Sequence, residues 1–482
     1  RVTQDFFAQQ NCIGVSGSLC DGAGEAGIIS GRGKNLHLAP DTIASAEVVI
    51  VWGRNIEHTN EHLLKSLDNK ILIVIDPIRT TLAQKADLHI QIKPRCDLHL
   101  ALLLSRFAMI EGLIDTEYCD SYASDYEEFY ELTQSLRIKS TLESIDVSLG
   151  QIGDLLSLVT AKKTVILVGV GVQKYRNGDE VLRAIDAFAV LMGWFGKKGS
   201  GVSYLGNSTE NLALPFADFK HSVSKPTVDF SNYKVAFIQG GNPLEQMPAS
   251  LQVKEKYEKV PLSVYFGLYE NETSKASSLI IPAKTFLEKN DFRSSYGDYS
   301  LEFMPKLADS EIGISEYELT KRLFSAFEMK IKSEEEYLEI FKAQIEYISN
   351  SGYRQGSNEI PYEDGFFGRE FIFMDEAELG LDSDDGYHLI TSKYQFSLNS
   401  QFKRPSGIYM HPDIGFKENQ IVKVTSQQGS ATFPVKYDTR LRQDSVLIYS
   451  GTPGVNILTP SLLSYEGESA VFQEYKVKVD AL

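Results

Sequence analysis

Short runs of consecutive apolar residues alternate with amphipathic stretches through the first part of the chain. Such runs end at Trp52, Ile75 and Val168, and glycine or aspartate follows each of them directly. Runs rich in valine and isoleucine are typical of parallel strands that are buried on both faces. Because amphipathic stretches such as 98–110 and 181–192 predict helices between the strands, the pattern predicts a doubly wound α/β domain with a mostly parallel sheet.

The hydrophobic pattern changes twice further along the chain. Apolar runs near 235–238, 262–266 and 279–281, followed by helical patterns, predict a second α/β domain. Residues 350–386 mix Gly, Asn, Ser and Tyr with an acidic run, which predicts a linker or a surface crossing. From residue 387 onward the hydrophobic period becomes two, which predicts a small β-barrel or sandwich at 387–482.

Composition and charge exclude several classes of protein. The chain has 482 residues, of which 43% are hydrophobic and 23% charged, as in ordinary globular proteins and unlike disordered or collagen-like chains. Its net charge of −17 argues against nucleic acid as a partner, because phosphate binding favours clustered Lys and Arg. No apolar run approaches the ~20 residues of a transmembrane helix, so no direct membrane span is predicted.

The four cysteines contain no CxxC pair, so neither a zinc ribbon nor an iron–sulfur cluster is predicted on this chain. A chain this long with so few cysteines indicates a reducing compartment, and we expect a cytoplasmic protein, with the periplasm as the alternative.

Three of the apolar runs end in small and polar residues of similar kind. The three strand ends are Gly53-Arg54-Asn55, Asp76-Pro77-Ile78-Arg79-Thr80 and Gly240-Gly241-Asn242. Ligands of open α/β sheets bind beyond the carboxyl ends of the strands, and Asn and Asp can pair with the edge of a purine or pteridine. The three ends therefore predict a large nucleotide-like ligand; ordinary strand-to-helix turns remain the alternative.

Cys20 lies in the segment Ser16-Gly-Ser-Leu-Cys20-Asp21-Gly-Ala-Gly, just before a helical pattern. A thiolate at a glycine-rich turn that leads into a helix is a candidate nucleophile or ligand of a soft metal. A buried structural cysteine is the alternative, and it is our interpretation of Cys12, Cys96 and Cys119. Gly169-Val-Gly171 is a candidate ligand loop, although Lys174 rules out the GxGxxG fingerprint.

These strings, in this order, resemble the molybdopterin oxidoreductase family of the dimethyl-sulfoxide-reductase type, which includes formate dehydrogenases and nitrate, thiosulfate and polysulfide reductases. The motifs that carry the resemblance are Trp52-Gly-Arg-Asn55, Ile75-Asp-Pro-Ile-Arg-Thr80, Asp97, Val168-Gly-Val-Gly-Val-Gln173, Gly193…Gly201, Gly240-Gly-Asn-Pro243, Glu272-Thr273, His411-Pro412 and Asn456-Ile-Leu-Thr459.

The resemblance implies a molybdenum or tungsten ion held by two molybdopterin guanine dinucleotides, with Cys20 as the protein's metal ligand. Asp21 and Glu25, which follow Cys20 in the sequence, are alternative candidates for proton transfer. The cofactor-binding residues that it implies are Gly53, Asn55, Asp76, Arg79, Thr80, Asp97 and Gly171, then Gly241 and Asn242 at the second nucleotide, and Thr391, Ser392, Gln395, Asn456 and Thr459 at the pterins.

The resemblance also implies the domain organisation. Residues 1–15 would be a remnant of the preceding α/β domain, 16–206 a complete Rossmann-like cofactor domain, and 207–349 the second half of another. Residues 350–386 would then be the linker, and 387–482 the β-barrel domain that binds the molybdopterin dinucleotide. The family's cysteine-rich iron–sulfur segment is expected upstream of Arg1 or on a partner protein, so we expect the chain to be one piece of a larger or split enzyme.

The activity implied is a two-electron redox reaction of a small substrate, either formate or a sulfur or nitrogen oxyanion, with electrons passing to an iron–sulfur partner. Asp21 stands where formate dehydrogenases usually have His, Arg95-Cys96 alters the turn before Asp97, and Gly267 replaces an expected Asp. The alternatives are a metal-free electron-transfer or scaffold subunit, which resembles the large subunit of NADH-quinone oxidoreductase, and a plain nucleotide-binding module.

Overall fold

The computed structural model describes residues 1–205, 212–294, 301–350, 360–381 and 385–482, with the backbone alone for 347–350. Their described parts form two compact units, Arg1–Gly17 with Asn207–Ser357 and Ser18–Gly206 with Asn358–Leu482.

The α-helices α1 to α16 are, in chain order, Val2–Gln9, Gly22–Arg32, Pro40–Ala44, Ile56–Thr59, Thr81–Lys85, Asp97–Ile110, Thr116–Tyr122, Tyr126–Ser135, Ile138–Ile145, Leu149–Val159, Gly178–Leu191, Pro243–Gln246, Ser250–Tyr257, Glu272–Ala276, Glu316–Ala326 and Glu334–Asn350. Short 3₁₀-helices span Glu61–Leu67, Val170–Gln173, Lys225–Thr227, Phe230–Asn232, Pro412–Ile414 and Val455–Ile457. Among the described residues, no helix combines the length and the apolar character needed to cross a membrane.

The strands β1 to β22 are Gly14–Ser16, Val48–Trp52, Ile71–Ile75, Leu88–Ile90, Ala123–Ser124, Thr164–Val168, Gly201–Ser203, Ser222–Ser224, Val235–Gln239, Leu262–Gly267, Leu279–Pro282, Asp291–Ser294, Leu301–Met304, Phe371–Ile372, Tyr387–Ile390, Ser397–Leu398, Gln401–Phe402, Ile408–Met410, Ile421–Thr425, Ser430–Tyr437, Ser445–Leu447 and Lys476–Ala481.

The second unit is built around a parallel five-stranded sheet of order β4-β3-β2-β6-β7. Central strand β2 is fully buried, and its side chains alternate between two cores. Val48, Ile50 and Trp52 join the core that contains α6 and α11, whereas Val49 and Val51 face a second core on the other side of the sheet. The apolar run therefore reflects burial on both faces, and the predicted doubly wound α/β fold is confirmed.

Part of the segment predicted to be a linker lies in the core of this unit. Phe366, Phe371, Phe373 and Met374 are almost completely buried and belong to the same hydrophobic core as α6 and α11. The Phe373 ring stacks on Phe129, while the Phe371 ring packs at steep angles against Phe366 and Phe373. This glycine-rich stretch therefore has a packing role that its composition conceals.

The C-terminal part of the second unit is a closed barrel of order β15-β21-β18-β20-β19-β22, in which β22 pairs again with β15. Alternate residues of its strands, such as Val422 and Val424 or Phe433 and Val435, point into the barrel core. Closure leaves no free sheet edge and confirms the predicted β-barrel.

The first unit contains a parallel three-stranded sheet of order β11-β10-β9. Helices α12 to α14 follow its strands, while α1 packs on α15 through Phe6 and Phe324, whose ring centroids lie 5.5 Å apart. This unit contains the second parallel α/β sheet that the sequence predicts.

A fully buried ion pair joins α2 to α11 in the second unit. The Nε of Arg32 donates to Oδ2 of Asp186 at 2.7 Å, and neither side chain is exposed to solvent. The guanidinium also donates to Val202 O and to the Tyr362 hydroxyl, and it lies over the Phe195 ring. Because α2 begins directly after Cys20, this pair fixes the helix that leads from the candidate metal ligand.

We expect Asp186→Ala to lower the free energy of unfolding by roughly 3–5 kcal/mol, because it leaves the Arg32 charge buried without a partner. The double variant Arg32→Met/Asp186→Leu should recover a substantial part of that loss. Urea unfolding measures both changes, with Glu143→Ala in the exposed Lys139–Glu143 pair as the control. A D186A midpoint equal to that of the wild type would contradict the prediction.

Candidate functional site

Cys20 lies on a tight turn between a short extended segment and α2, in the second unit. The hydroxyl oxygen of Ser18 accepts the backbone N–H groups of Cys20 at 2.9 Å and Asp21 at 3.1 Å. The same hydroxyl donates to Oδ1 of Asp21 at 2.8 Å. Three hydrogen bonds through one serine thus set the backbone of the turn and also engage the carboxylate of Asp21.

The helix after Cys20 packs closely on its surroundings because its glycines lack side chains. A Cβ at Gly27 would lie 2.0 Å from the carbonyl oxygen of Asp179 at the start of α11. Any side chain at this position would push α2 away from α11, and the Cys20 turn with it. The glycines that marked this segment in the sequence therefore serve helix packing as well as the turn.

Two side chains from the loop after β6 hold the carbonyl side of the Cys20 turn. Gln173 Nε2 donates to Cys20 O, while Gln173 Oε1 accepts the Gly24 N–H at 2.9 Å. The Lys174 ammonium donates to Cys20 O at 2.9 Å and to Leu19 O at 3.3 Å. Burial lowers the pKa of Lys174 to about 8, an effect that the nearby Cys20 and Asp21 charges oppose.

A second group of predicted residues lies at the carboxyl ends of neighbouring strands β2, β3 and β6. Gly53 adopts a φ of +58°, and its carbonyl oxygen would lie 1.9 Å from a Cβ at Gly169, so the two loops touch only because position 169 is glycine. Asn55 follows this contact, and its side-chain oxygen is buried without a hydrogen-bond partner in the described part of the chain. Such an acceptor is costly unless a ligand satisfies it.

Two buried carboxyls, Asp76 and Asp97, share this edge of the sheet. Asp76 Oδ1 accepts the Ile78 N–H at 2.8 Å, and Asp97 Oδ1 accepts the indole N–H of Trp52 at 2.7 Å. Burial, with a smaller contribution from the charge of Asp97, raises the pKa of Asp76 to about 7, and burial raises the pKa of Asp97 to about 6. The fold thus brings four of the residues predicted from the sequence to one edge of the sheet, namely Gly53, Asn55, Asp76 and Asp97.

Arg79 and Thr80 have other roles in this structure. The hydroxyl of Thr80 accepts the Ala83 N–H at 3.1 Å and caps helix α5. The backbone N–H of Arg79 donates to Arg440 O of the barrel domain. Arg79 also lines a polar cavity together with His89, Gln91 and Arg442. The side chain of Thr80 is therefore engaged in the fold, whereas Arg79 faces a cavity.

The predicted cofactor-binding residues of the barrel domain differ in their contacts and exposure. Gln473 connects two of the predicted positions, because its Oε1 accepts the Thr391 N–H at 2.8 Å and its Nε2 donates to Gly171 O at 3.2 Å. Ser392 O accepts the Ser450 N–H at 2.8 Å. Gln395 is exposed.

Thr459 is fully buried, and its hydroxyl donates to Asn456 O at 3.3 Å. The side chain of Thr459 therefore supports Asn456 from within the fold.

In the first unit, Asn242 follows Gly240 and Gly241 at the end of β9, where Gly240 adopts a φ of +65° with open space beside it. The Asn242 side chain donates to Glu272 Oε2 at 3.0 Å and accepts the Thr273 hydroxyl at 2.9 Å. These bonds connect the loops after β9 and β10. The Asn242 side chain thus holds the two loops together, and the open space at this edge of the sheet lies beside Gly240.

Sequence reasoning missed the contact residues Arg54, Gln173 and Lys174. Burial lowers the pKa of Arg54, and no carboxylate in the described part of the chain pairs with it. The position of Arg54 between the predicted residues Gly53 and Asn55 is the feature of the sequence that points to it. The sequence marks Lys174 only as the residue that breaks a glycine fingerprint, because its contact with Cys20 spans 154 positions of sequence.

The side chains of the second unit fit the implied cofactor. Cys20 offers a soft ligand, Asn55 an unsatisfied buried acceptor oxygen, and Arg54 a half-buried cation suited to a phosphate. Within the described residues, no group of three or more His, Cys, Asp or Glu side chains is arranged to hold a metal ion.

Comparisons with known proteins agree with this geometry. The family model Molybdopterin oxidoreductase matches residues 8–300, and the model Molydopterin dinucleotide binding domain matches residues 381–472. The solved structure of acetylene hydratase from Pelobacter acetylenicus has the same fold, with a TM-score of 0.75 at 14% identity over 96% of this chain and 81% of that one.

Curated relatives include the probable oxidoreductase YyaE of Bacillus subtilis (26% identity, 62% of this chain, 48% of the relative). The assimilatory nitrate reductase catalytic subunit of the same organism is 24% identical (58% and 46%), and formate dehydrogenase H of Escherichia coli is 23% identical (52% and 41%). The matches thus cover about half the length of these relatives. On the first family model, which covers more than half of the sequence, the chain belongs to the molybdopterin oxidoreductase family.

Proposed function

We propose that the protein is part of a molybdenum or tungsten oxidoreductase that uses two pterin guanine dinucleotides. The observation that carries the proposal is the Cys20 turn, which is fixed from both sides by Ser18, Gln173 and Lys174 in the same unit as the buried Asn55–Asp76–Asp97 edge. Cys20 would bind the metal ion, and the edge would bind a guanine nucleotide.

We propose formate or a sulfur or nitrogen oxyanion as the substrate. Relatives named formate dehydrogenase, nitrate reductase and dimethyl sulfoxide/trimethylamine N-oxide reductase support this range. The bound metal cofactor would supply two-electron redox chemistry, with an iron–sulfur centre upstream or on a partner protein as the electron acceptor or donor. We further propose a cytoplasmic location, from the scarcity of cysteines.

The chemistry of the Asn55–Asp76–Asp97 edge suits guanine. The N1–H and exocyclic amino group of guanine are donors, and carboxylates and amide oxygens accept such hydrogen bonds. Asp76 and Asp97 each have one oxygen engaged by the protein, which holds the carboxyl in place. Arg54, beside them, would offset a negatively charged phosphate of the same nucleotide.

Asp21 is our candidate for moving a proton near the metal. Its Oδ1 accepts the Ser18 hydroxyl at 2.8 Å, so its carboxylate is held next to the turn that bears Cys20. A carboxylate in a fixed position can take up or release a proton as the charge beside it changes.

A metal-free electron-transfer or scaffold subunit is the second candidate, and one observation in the first unit favours it. At Gly267, where the family usually has Asp, a Cβ would lie 2.5 Å from the Tyr265 hydroxyl. That hydroxyl donates to Tyr269 O and accepts from Asn271 Nδ2, so Tyr265 occupies the space of the expected carboxylate. The second nucleotide would then lack one contact.

Metal analysis separates the two candidates. Protein produced in a host that makes the pterin cofactor should contain molybdenum or tungsten, and Cys20→Ala should lower turnover by more than about 100-fold without changing the melting curve, because loss of a ligand should exceed the effect of an outer-shell change. Cys12→Ala, at another half-buried cysteine, is the control. Absence of both metals from the wild type would refute the oxidoreductase proposal.

Asn55→Ala should weaken cofactor retention by roughly 10-fold or more, since it removes an acceptor worth ~1–3 kcal/mol when buried. The ligand-free variant should be at least as stable as the wild type, because the orphaned oxygen disappears. Guanine nucleotide and metal content after gel filtration measure retention, with Asn60→Ala, whose side chain makes no capping bond, as the control. Retention equal to that of the wild type would remove Asn55 from the site.

The stability of the ligand-free protein should depend on pH through Asp76. Because burial raises its pKa to about 7 from an unfolded value near 3.8, the folded state holds the proton. The stabilisation that this bound proton provides is complete below pH 4 and is lost as the pH rises through 7. An asparagine at this position is uncharged at every pH, as the protonated carboxyl is.

Asp76→Asn should therefore gain stability relative to the wild type between pH 5 and pH 8, as measured by urea midpoints at both values. Asp87→Asn is the matched control, since the exposed Asp87 carboxylate accepts the Leu72 N–H in the same way. An Asp76→Asn difference that is the same at both pH values would contradict the assignment.

A further inference from the structure

The Lys174 side chain is directed at the backbone of the Cys20 turn. Its ammonium donates to the successive carbonyls of Leu19 and Cys20, and it lies 5.1 Å from the centroid of the Phe472 ring. We propose that Lys174 is a positioning residue for the metal ligand Cys20, one that fixes the Leu19–Cys20 backbone and keeps a positive charge beside the sulfur. This inference rests on the proposed function of Cys20.

Hydrogen bonding alone does not require a lysine here. Gln173 Nε2 already donates to Cys20 O, and Gln173 Oε1 fixes the first turn of α2 through Gly24 N. A second neutral donor would complete the same carbonyl without placing a charge beside it. What the ammonium adds to this turn is its positive charge.

The Lys174 side chain is half-buried, and its ammonium is held against the turn by the carbonyl oxygens of Leu19 and Cys20. The Asp21 carboxylate on the same turn is engaged by Ser18. With a metal bound, the Cys20 sulfur would carry negative charge, because thiolate is the form of cysteine that ligates metals. The Lys174 ammonium would then lie close to that charge and offset part of it.

The barrel domain holds Lys174 in place from the other side. The backbone N–H of Gln473 donates to Lys174 O at 3.1 Å, and Glu474 accepts the Arg176 N–H at 2.9 Å while it pairs with Arg95 at 3.0 Å. The segment 472–474 thus contacts the loop that contacts Cys20. The barrel domain also reaches the metal-ligand turn directly, because Ser18 exchanges backbone hydrogen bonds with Glu468 and Ala470. Lys174 is thus one of the contacts between the β-barrel domain and this turn.

A fixed positive charge beside a ligating thiolate stabilises the more reduced and more negative state of the metal site. Lys174→Gln should therefore shift the midpoint potential of the bound metal to a lower value, whereas Lys174→Arg should stay near the wild type. Loss of the two carbonyl contacts should also speed amide hydrogen exchange at residues 18–24 by roughly 10-fold, the effect of about one hydrogen bond.

The test compares the wild type, Lys174→Gln and Lys174→Arg, produced in a cofactor-competent host. Redox titration followed by electron paramagnetic resonance gives the potential, and exchange with mass spectrometry follows residues 18–24. Lys162→Gln is the matched control, because Lys162 also donates to a backbone carbonyl, that of Leu158 at 3.0 Å, at the end of α10.

A Lys174→Gln protein with the wild-type potential and wild-type exchange would overturn the proposal, and a Lys174→Arg protein that behaves like Lys174→Gln would overturn its charge component. If Lys174→Gln binds no metal, exchange is compared between ligand-free wild type and variant, and unchanged exchange overturns the proposal. A wild type without molybdenum or tungsten refutes the proposed function instead, which separates the two failures.

Discussion

Burial of strand β2 on both faces and along both edges is the constraint from which the candidate site follows. A strand with neighbours β3 and β6 on either side, and helices above and below, can place polar groups only beyond its ends. Gly53 and Asn55 occupy that position, and Asp76 occupies the same position after β3. The parallel direction of the strands brings these ends to one edge, so the sheet assembles the polar residues that the chain separates.

Several of these polar groups are costly in the protein alone. An unsatisfied amide oxygen at Asn55, a guanidinium without a carboxylate at Arg54 and two neighbouring buried carboxyls at Asp76 and Asp97 each oppose folding. A packed hydrophobic core on both sides of the sheet offsets this cost. A ligand that donates to the oxygens and carries negative charge near the arginine would relieve all of it, and a guanine nucleotide has both properties.

The sequence predicts those parts of the structure that depend on local pattern. Apolar runs predict β2, β3 and β6 almost to the residue, since burial on both faces leaves a continuous signal. The aromatic residues of 360–374 enter the core although glycines interrupt them in the sequence. Contacts such as Lys174 with Cys20 depend on the order of strands in the sheet, which no local pattern encodes.

Lys174 shows why departures from a motif can be informative. Lys174 stands at the position of the third glycine of a dinucleotide fingerprint, which allows the following helix to pack closely on the strand, and a lysine excludes that packing. Here the loop after β6 approaches the backbone of another loop, where a long cationic side chain reaches two carbonyls beside Cys20. Lys174 thus rules out a common nucleotide-binding loop and, at the same time, supplies a positive charge near the proposed metal ligand. The loop after β6 contacts the Cys20 turn through its side chains.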